Sequence, residues 1–298
     1  SEGFTVVGVD NLNNYYDQKL KKNRNKILEK YTNYKFNKID IKNYSKLESI
    51  FKQNKFECII NLAAQAGVRY SLINPKSYIE NNVVGFFNVI DLTKKYKVKD
   101  IIYASTSSIY GIQSKFPIKE NFDTSNPTQL YAATKKSNEV IAASYSKLYN
   151  INTIGLRFFT VYGPWGRPDM APIKFTKNII QGKSIEVFNR GKHSRDFTFV
   201  EDIVDGIFKI IKKKKKVSKN KIYNIGNGKK VSLIEFIKLI EKNLNKKAKK
   251  KFLPLQKGDV FKTHSSTKLL KKDYGYVSKT SINNGVKKFI NWYLSYYQ

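Results

Sequence analysis

The 298-residue sequence is almost without cysteine and has no long apolar run. Its single cysteine, Cys58, stands in an apolar stretch at residues 58–62 and is expected to be a small core residue. One cysteine excludes a disulfide scaffold and a cysteine-based zinc site, and no metal site is predicted. No apolar stretch approaches the roughly 20 residues of a membrane span, and the residues from Ser1 onward lack the pattern of a signal peptide. We therefore expect a soluble cytoplasmic protein without a membrane partner.

Acidic residues and arginine are also scarce. The chain has 23 Asp and Glu against 56 Lys and Arg, which gives a formal net charge of +33. Proteins that read a base sequence use arginine for bidentate contacts, and RNA-binding sheets carry interleaved aromatic residues. Neither arrangement is present, so we expect only non-specific attraction to polyanions and no specific nucleic-acid partner. The arginines, whose planar fork suits phosphate and carboxylate, are Arg24, Arg69, Arg157, Arg167, Arg190 and Arg195.

Short apolar runs alternate with helical segments along the first half of the chain. The runs cover residues 4–9, 34–39, 58–63, 101–105 and 153–159, and long helices are expected at 78–96 and 131–149. This alternation indicates an α/β fold with a doubly wound parallel sheet of the Rossmann type. From about Tyr162 the pattern loosens into loops with proline and glycine. We expect a dinucleotide-binding domain over residues 1–161 and a smaller substrate-binding region over 162–298, part of which packs back on the sheet.

One expected signal is missing from this pattern. A dinucleotide-binding fold begins with a strand, a loop such as Gly-x-Gly-x-x-Gly and a helix, and no such glycine cluster precedes Asp10. Asp10 itself ends an apolar strand, where an acid binds the ribose hydroxyls of NAD. We therefore expect an N-terminally truncated sequence whose first strand and glycine loop are missing. The 298-residue chain alone would then bind NAD poorly and be inactive, since that loop supplies N–H groups to the pyrophosphate.

A tyrosine and a lysine four residues apart are predicted to carry the chemistry. On a helix, Tyr131 and Lys135 share one face, and Tyr131 follows Thr106 by about two dozen residues. A nearby ammonium lowers the pKa of a phenol, so Tyr131 is suited to act as a general base. Thr106 would hold the substrate alcohol while a nicotinamide takes the hydride. The three residues together argue against a different class of protein, a non-catalytic basic binding protein on the same scaffold.

Several segments of the sequence match the pattern of one known family. They lie at residues 9–17, 61–71, 81–85, 105–111, 131–135, 157–170 and 195–200. The segment 157–170 contains Tyr162-Gly163-Pro164-Trp165-Gly166-Arg167. It is long and its residues follow one another in the order of the family pattern, so the match is specific. Over about residues 4–240 the chain resembles the extended short-chain dehydrogenase/reductases that act on nucleotide sugars, and within them the UDP-glucuronate 4-epimerases.

The resemblance implies a cofactor and a reaction. Bound NAD would oxidise the C4 hydroxyl of UDP-glucuronate to a 4-keto intermediate, which is then reduced from its other face to give UDP-galacturonate. A related 4,6-dehydratase carries Asp-Glu where Ser107 and Ser108 stand, because elimination of water needs an acid and a base. The related UDP-glucuronate decarboxylases carry Glu at the position of Ser108, and the two hydroxyls argue against both activities. Another nucleotide-sugar 4-epimerase, of the UDP-glucose or UDP-GlcNAc type, is the nearest alternative.

The resemblance also assigns individual residues. Along the cofactor it implies Asp10, Asp40, Ile41, Leu62, Ala63 and Ala64, with Tyr131 and Lys135 at the nicotinamide ribose. Along the substrate it implies Asn81 and Arg195 at the diphosphate, with Thr160 and Arg167 at the sugar. Thr106 takes the position of the catalytic Ser or Thr, and with Ser107 and Ser108 it offers hydroxyls to the sugar carboxylate. For Ser107 and Ser108 the alternative is to stabilise a turn, and for Arg69 a substrate role competes with capping of loop carbonyls.

A homodimer is the expected assembly. The resemblance places its interface on the two long helices at residues 78–96 and 131–149. These helices carry more apolar residues than a single helix face needs to cover a sheet. The apolar residues are Phe86, Phe87, Val89, Ile90, Ile141, Ala142 and Tyr145.

Overall fold

The structure, a computed structural model, describes residues 3–213, 219–256 and 259–298. The strands are β1 (Val6–Asp10), β2 (Tyr34–Lys38), β3 (Cys58–Asn61), β4 (Asp100–Thr106), β5 (Asn152–Phe158), β6 (Thr160–Tyr162), β7 (Ser184–Val187), β8 (Ser194–Arg195), β9 (Phe197–Phe199), β10 (Asn220–Ile225), β11 (Val231–Ser232) and β12 (Lys249–Phe252). The helices are α1 (Gln18–Leu28), α2 (Tyr44–Gln53), α3 (Tyr70–Ile73), α4 (Pro75–Tyr78), α5 (Gly85–Lys95), α6 (Leu130–Tyr149), α7 (Ala171–Ile180), α8 (Val200–Lys212), α9 (Leu233–Leu244), α10 (Lys268–Tyr274) and α11 (Ile282–Tyr297).

The N-terminal strands form parallel sheets, as the apolar runs predict. β1 pairs with β2, and a second sheet has the order β3-β4-β5-β10. Among the described residues, β1 and β3 are not hydrogen-bonded to each other. β10 comes from the C-terminal region and extends the sheet beside β5. The carboxyl ends of β1, β3, β4 and β5 therefore point to one edge, where parallel sheets bind their ligands.

Helices cover both faces of the larger sheet, which confirms the doubly wound fold. Side chains of β4 pack on both faces of the sheet. Ile101 and Tyr103 belong to one apolar cluster, and Ile102 belongs to another. The first cluster also takes residues of α2, α5 and α6, such as Phe51, Phe86 and Ala142. The second takes residues of α8, β10 and α10. A strand that is apolar at successive positions is required for this burial on two sides.

The long helix predicted at residues 78–96 is interrupted. It begins as α4 and continues as α5, and a wider π-helical turn, Ile79–Val84, joins them. Such turns are frequent at functional sites because the extra residue changes which side chains face inward. Here the turn carries Asn81 and the buried Asn82. The helical segment expected at residues 78–96 is therefore present, but its first part is a π-helical turn.

The C-terminal region has its own apolar cluster. Short strand pairs β6-β9, β8-β11 and β7-β12 are surrounded by α7, α9 and α11. Phe197 of β9 stacks on Phe236 of α9, with ring centroids 4.2 Å apart. β6 spans the boundary expected between residues 161 and 162, so the division into two domains at that point stays a prediction.

Two tryptophans lie together where α11 meets the loop after β6. Trp165 and Trp292 have ring centroids 5.4 Å apart, and Tyr296 packs 4.9 Å from Trp165. The Tyr296 hydroxyl accepts a hydrogen bond from Asn23 of α1 at 2.7 Å. This cluster fixes the segment that leads to Arg167. Within the residues that the structure describes, no helix is both long and apolar enough to cross a membrane.

Candidate active site

A cleft of about 330 Å³ opens at the carboxyl ends of the parallel strands. Many residues singled out in the sequence line it, namely Asp10, Ile41, Leu62, Ala63, Ala64, Asn81, Tyr131, Lys135 and Arg167. Residues to which the sequence assigned no role in the site also line it, among them Tyr15, Lys21 and Arg24. The cleft therefore joins the end of β1, the loop after β3, the first turns of α6 and the loop after β6.

Tyr131 and Lys135 lie one turn apart at the start of α6. Burial raises the pKa of Tyr131, whereas the positive charge of Arg167 and a hydrogen bond with Thr106 lower it. Lys135 is 2% exposed, and its Nζ donates to the Ala104 carbonyl of β4 at 2.8 Å. Burial lowers the pKa of Lys135 to about 8. The charge of Arg167 adds to the influence expected from Lys135 on the Tyr131 phenol, and the role of Lys135 stays a prediction.

The end of β4 presents a row of hydroxyl groups. The backbone N–H of Ser108 donates to Thr106 Oγ1 at 3.2 Å, and Thr106 Oγ1 donates to Ser108 Oγ at 3.2 Å. Thr106 thus caps the short turn Ser107–Tyr110. The turn-stabilising role considered for Ser107 and Ser108 belongs in part to Thr106. Among the described residues the Ser107 hydroxyl has no hydrogen-bond partner, which leaves it available to a ligand.

The two acids expected at the adenosine end are adjacent. Asp10 Oδ1 accepts from the Leu12 N–H at 2.7 Å. Asp40 Oδ2 accepts from Asn11 Nδ2 at 3.0 Å, and Asp40 Oδ1 accepts from the Lys42 N–H at 2.9 Å. Asp40 therefore orients the loop after β1, while Asp10 faces the cleft. Ile41, which follows Asp40, lines the cleft beside it.

The predicted site residues that lie outside the lining of this cleft are Asp40, Arg69, Thr106, Ser107, Ser108, Thr160 and Arg195. Arg195 Nη2 donates to Asp259 Oδ1 at 3.1 Å, and the Arg69 guanidinium lies 4.7 Å from the centroid of the Phe188 ring. Burial raises the pKa of Asp259, but hydrogen bonding to His193 and the charges of Arg195 and Arg69 outweigh burial and hold it below its ordinary value. Arg69 and Arg195 thus belong to one cationic cluster around Asp259. Thr160, at the start of β6, donates its backbone N–H to the carbonyl of Asp196 at 3.1 Å.

A buried ion pair behind the cleft was missed. Arg157 of β5 donates to Glu139 of α6 through Nε at 2.9 Å and Nη2 at 2.8 Å. Ser105 Oγ donates to the same carboxylate at 2.6 Å, and Arg157 Nη1 donates to Tyr110 Oη at 2.8 Å. Glu139 lies one turn beyond Lys135 on α6, and that spacing was the available signal. The pair ties α6 to the strands that carry Thr106 and Arg157.

A second missed residue is the fully buried Asp196, which follows Arg195. Its carboxylate accepts from the N–H groups of Asn227 at 2.7 Å and Gly228 at 3.1 Å. It also accepts from the Ser265 N–H at 2.9 Å and the Ser265 hydroxyl at 2.6 Å. Burial raises the pKa of Asp196 above its ordinary value despite these donors. Asp196 therefore ties together the backbone segments next to Arg195.

Comparison with known proteins adds to this geometry. The model of the NAD dependent epimerase/dehydratase family matches residues 1–226. The chain belongs to that family. An uncharacterised protein of Methanocaldococcus jannaschii is 50% identical over 98% of this chain and 89% of its own. UDP-glucuronate 4-epimerase 4 of Arabidopsis thaliana is 42% identical over 99% of this chain and 71% of its own.

A solved structure from the family has the same fold. The UDP-glucuronic acid 4-epimerase of Bacillus cereus, in complex with UDP-glucuronic acid and NAD, superposes with a TM-score of 0.92. It is 29% identical, and the match covers 98% of this chain and 91% of that one. The predicted family, the fold class, the cofactor NAD and the enzyme class, an NAD-dependent nucleotide-sugar 4-epimerase (an isomerase), are confirmed. The roles of individual site residues stay predictions.

The cleft suits NAD at several points. Asp10 Oδ2 has no hydrogen-bond donor among the described residues, so it is available to a ribose hydroxyl. Arg24 has a buried Nε without a hydrogen-bond partner in the described part of the chain, which suits a phosphate oxygen. Ala63 and Ala64, whose side chains are methyl groups, also line the cleft. In the described ranges no group of three or more His, Cys, Asp or Glu residues is suited to hold a metal ion.

Proposed function

We propose that the chain interconverts UDP-glucuronate and UDP-galacturonate by NAD-dependent epimerisation at C4. The observation that carries the proposal is the row of hydroxyls at Thr106, Ser107 and Ser108, which stands at the end of β4 near Tyr131. A carboxylate at these positions would repel a substrate carboxylate, whereas hydroxyl groups donate hydrogen bonds to it, and such charge-assisted bonds are stronger than neutral ones. Thr160 is proposed to add a fourth hydroxyl on the sugar side.

The proton transfer is assigned to Tyr131. The phenolate form accepts the proton of the C4 hydroxyl and returns it after the sugar has turned over. Thr106 is proposed to hydrogen-bond the phenol and to hold it in line with the hydroxyl, and the charge of Arg167 acts against the rise that burial causes in the pKa of Tyr131. Lys135 orients the start of α6 through the Ala104 carbonyl and is proposed to donate to the nicotinamide ribose. When bound beside these groups, NAD supplies the reversible oxidation of the sugar carbon.

The diphosphate is proposed to lie between the cleft and the cationic cluster. Asn81 lines the cleft on the π-helical turn, and its Nδ2 donates to the Ser77 carbonyl at 2.7 Å. Arg195 and Arg69 surround Asp259 and carry the charge that two phosphates need. Arg69 stacks on Phe188 and makes no hydrogen bond to a loop carbonyl within the described ranges, which favours its substrate role over a capping role.

The test is a substrate comparison with the purified protein, after calorimetry has measured its binding of NAD. Proton NMR of the anomeric signals follows UDP-glucuronate, UDP-glucose and UDP-GlcNAc separately. We expect UDP-galacturonate to form fastest, and Ser108→Ala to slow its formation more than Ser125→Ala, a serine on an exposed loop. Faster turnover of UDP-glucose or UDP-GlcNAc would assign the alternative 4-epimerase. Binding of all three without turnover would identify a non-catalytic binding protein.

A homodimer through α5 and α6 is part of the proposal. Four of the residues expected at the interface, Phe86, Val89, Ile90 and Ala142, instead pack against the sheet. The outer surface keeps other apolar groups, with Phe87 44% exposed and Val140 59% exposed. Contiguous exposed apolar residues mark interaction surfaces. Cytoplasmic location and the absence of a specific nucleic-acid partner stay predictions.

Phe87→Glu is expected to convert the dimer into a monomer at micromolar concentration, because it places a charge in an apolar contact. Analytical ultracentrifugation of the protein and the variant measures this. Val204→Glu is the matched control, since Val204 is another exposed apolar residue, on α8. A monomeric parent protein, or a dimer that survives in Phe87→Glu, would remove the proposed interface.

A further inference from the structure

The hydroxyl row, formed by Thr106, Ser107 and Ser108, lies on a segment that closes few hydrogen bonds of its own. After Thr106 the chain makes a single turn of 3₁₀ helix, Ser107–Tyr110. In this turn the Ser108 N–H donates to Thr106 Oγ1 at 3.2 Å, and the Gly111 N–H donates to the Ser108 carbonyl at 3.2 Å. Helices of this type have poorer hydrogen-bond geometry than α-helices and occur in short pieces. The position of the hydroxyl row therefore depends on contacts at the two ends of the segment.

Tyr110, the last residue of the turn, is anchored through its hydroxyl. The side chain is 3% exposed, and its Oη accepts from Arg157 Nη1 at 2.8 Å and donates to Asn224 Oδ1 at 2.7 Å. The Asn224 amide nitrogen donates to the carbonyls of Ile118 at 2.9 Å and Ser266 at 3.3 Å, which leaves its oxygen to face Tyr110. Burial raises the pKa of Tyr110 to about 12, so the hydroxyl keeps the proton that it donates. One donor and one acceptor thus fix its position.

Ser105, which precedes the hydroxyl row, is anchored to the same group of buried side chains. Its Oγ donates to Glu139 Oε1 at 2.6 Å. Glu139 in turn accepts from Arg157 Nε at 2.9 Å and Nη2 at 2.8 Å. The guanidinium carbon of Arg157 also lies 4.8 Å from the centroid of the Tyr110 ring. The buried ion pair therefore holds both ends of residues 105–110, one through its carboxylate and the other through its guanidinium.

The position of the hydroxyl row matters most for a charged ligand. Hydrogen bonds weaken steeply as their distance and angle depart from the optimum. A bond from a hydroxyl to a carboxylate is about twice as strong as a bond between neutral groups. A shift of the turn would therefore reduce the binding of a sugar carboxylate more than the binding of a neutral sugar hydroxyl at the same place.

We propose that Tyr110 and Ser105 are positioning residues, which hold the hydroxyl row where it can bind the carboxylate of the sugar. They thereby determine how strongly the protein prefers UDP-glucuronate to UDP-glucose. The inference rests on the proposed function, because it takes the hydroxyl row as the carboxylate site. Both residues act through the hydroxyl row, since their own hydroxyls are engaged with buried protein groups.

Tyr110→Phe keeps the ring and removes only the anchored hydroxyl. We expect the ratio of kcat/KM for UDP-glucuronate to kcat/KM for UDP-glucose to fall about tenfold, as for the loss of one hydrogen bond to a charged group. Tyr223→Phe is the matched control, because Tyr223 is also buried and donates to Asp273 of α10 at 2.7 Å. A general loss of stability lowers both kcat/KM values in proportion, so the ratio should stay unchanged in Tyr223→Phe. An unchanged ratio in Tyr110→Phe would refute the positioning role.

A background without the two serine hydroxyls shows whether Tyr110 acts through them. In the double variant Ser107→Ala/Ser108→Ala, adding Tyr110→Phe is expected to change the ratio little further, because the positioned groups are gone. An equal fall in both backgrounds would overturn the proposal. Ser105→Ala removes the anchor at the other end and should also lower the ratio, so it tests the proposal even if Tyr110→Phe does not fold. An unchanged ratio in Ser105→Ala would contradict the proposal.

Hydrogen exchange separates the positioning role from the proposed substrate. Mass spectrometry of a peptide that spans residues 107–111 follows the turn without any ligand. We expect faster exchange there in Tyr110→Phe than in the parent protein or in Tyr223→Phe. If the parent protein did not prefer UDP-glucuronate to UDP-glucose, the proposed substrate would be wrong, whereas faster exchange would still support the anchoring of the turn by Tyr110. Unchanged exchange would refute that anchoring whatever the substrate is.

Discussion

Replacing Tyr131 by phenylalanine is expected to lower turnover by about a hundredfold or more. The change removes the only phenol hydroxyl that, among the described residues, both lines the cleft and interacts with Thr106, while the ring can still pack against Tyr78 at 6.2 Å. Substrate KM and NAD affinity are expected to stay nearly unchanged, because the charged contacts of both ligands lie elsewhere. Initial rates by NMR and binding by calorimetry measure the two effects.

Tyr149→Phe at the other end of α6 serves as the control for that variant. Tyr149 is 45% exposed and lies far along the helix from the cleft. Its replacement should leave kcat unchanged. If Tyr131→Phe epimerised the sugar at a near-normal rate, another group would have to be the base, and Lys135, with its pKa lowered to about 8, would be the next candidate.

Glu139→Gln is expected to lower the free energy of unfolding by about 3–5 kcal/mol, because it leaves the buried Arg157 guanidinium without a charged partner. The carboxylate accepts two hydrogen bonds from Arg157 and one from Ser105, and Lys136 lies 3.6 Å from it. Urea denaturation of the parent and the variant gives the difference directly. Since Glu139 also ties α6 to β4, turnover should fall as well.

The matched control is Glu201→Gln, which breaks an exposed pair. Glu201 lies 2.7 Å from Lys288, and the two side chains are 59% and 54% exposed. Solvent screens such pairs, so the expected loss is about 1 kcal/mol or less. An equal loss in Glu139→Gln and Glu201→Gln would show that the buried pair contributes no more than a surface pair.

The strands were the most predictable part of the fold. An apolar run such as residues 101–105 must be buried on both faces, and that requirement alone places β4 inside a parallel sheet. The π-helical turn at Ile79–Val84 was not predictable. The spacing of apolar residues in such a turn differs from the spacing in an α-helix by a single residue. β10 was also missed as a specific strand, since its pairing with β5 joins Thr153 to Asn220, 67 positions away in sequence.

Residues of the candidate site were predictable where the residue type and its position on a helix or strand together indicate one chemical role. Tyr131 and Lys135 share a helix face, Asp10 ends a strand, and the structure brings all three to one cleft. The partners of these residues could not be predicted in the same way. Asp169 and Tyr15 meet across the cleft only after folding, and local sequence carries no sign of their hydrogen bond. For the same reason the influence of Arg167 on the pKa of Tyr131 was not predicted.

The pairing of Trp165 with Trp292 makes the protein's own fluorescence a local reporter. The chain has only these two tryptophans, so its long-wavelength emission comes from one corner. Trp165 precedes Arg167 by two residues, and Trp292 belongs to α11. Any ligand that shifts the Arg167 loop changes the distance or angle between the two indoles. Emission intensity would therefore follow occupancy of the sugar end of the cleft without an added dye or a coupled enzyme.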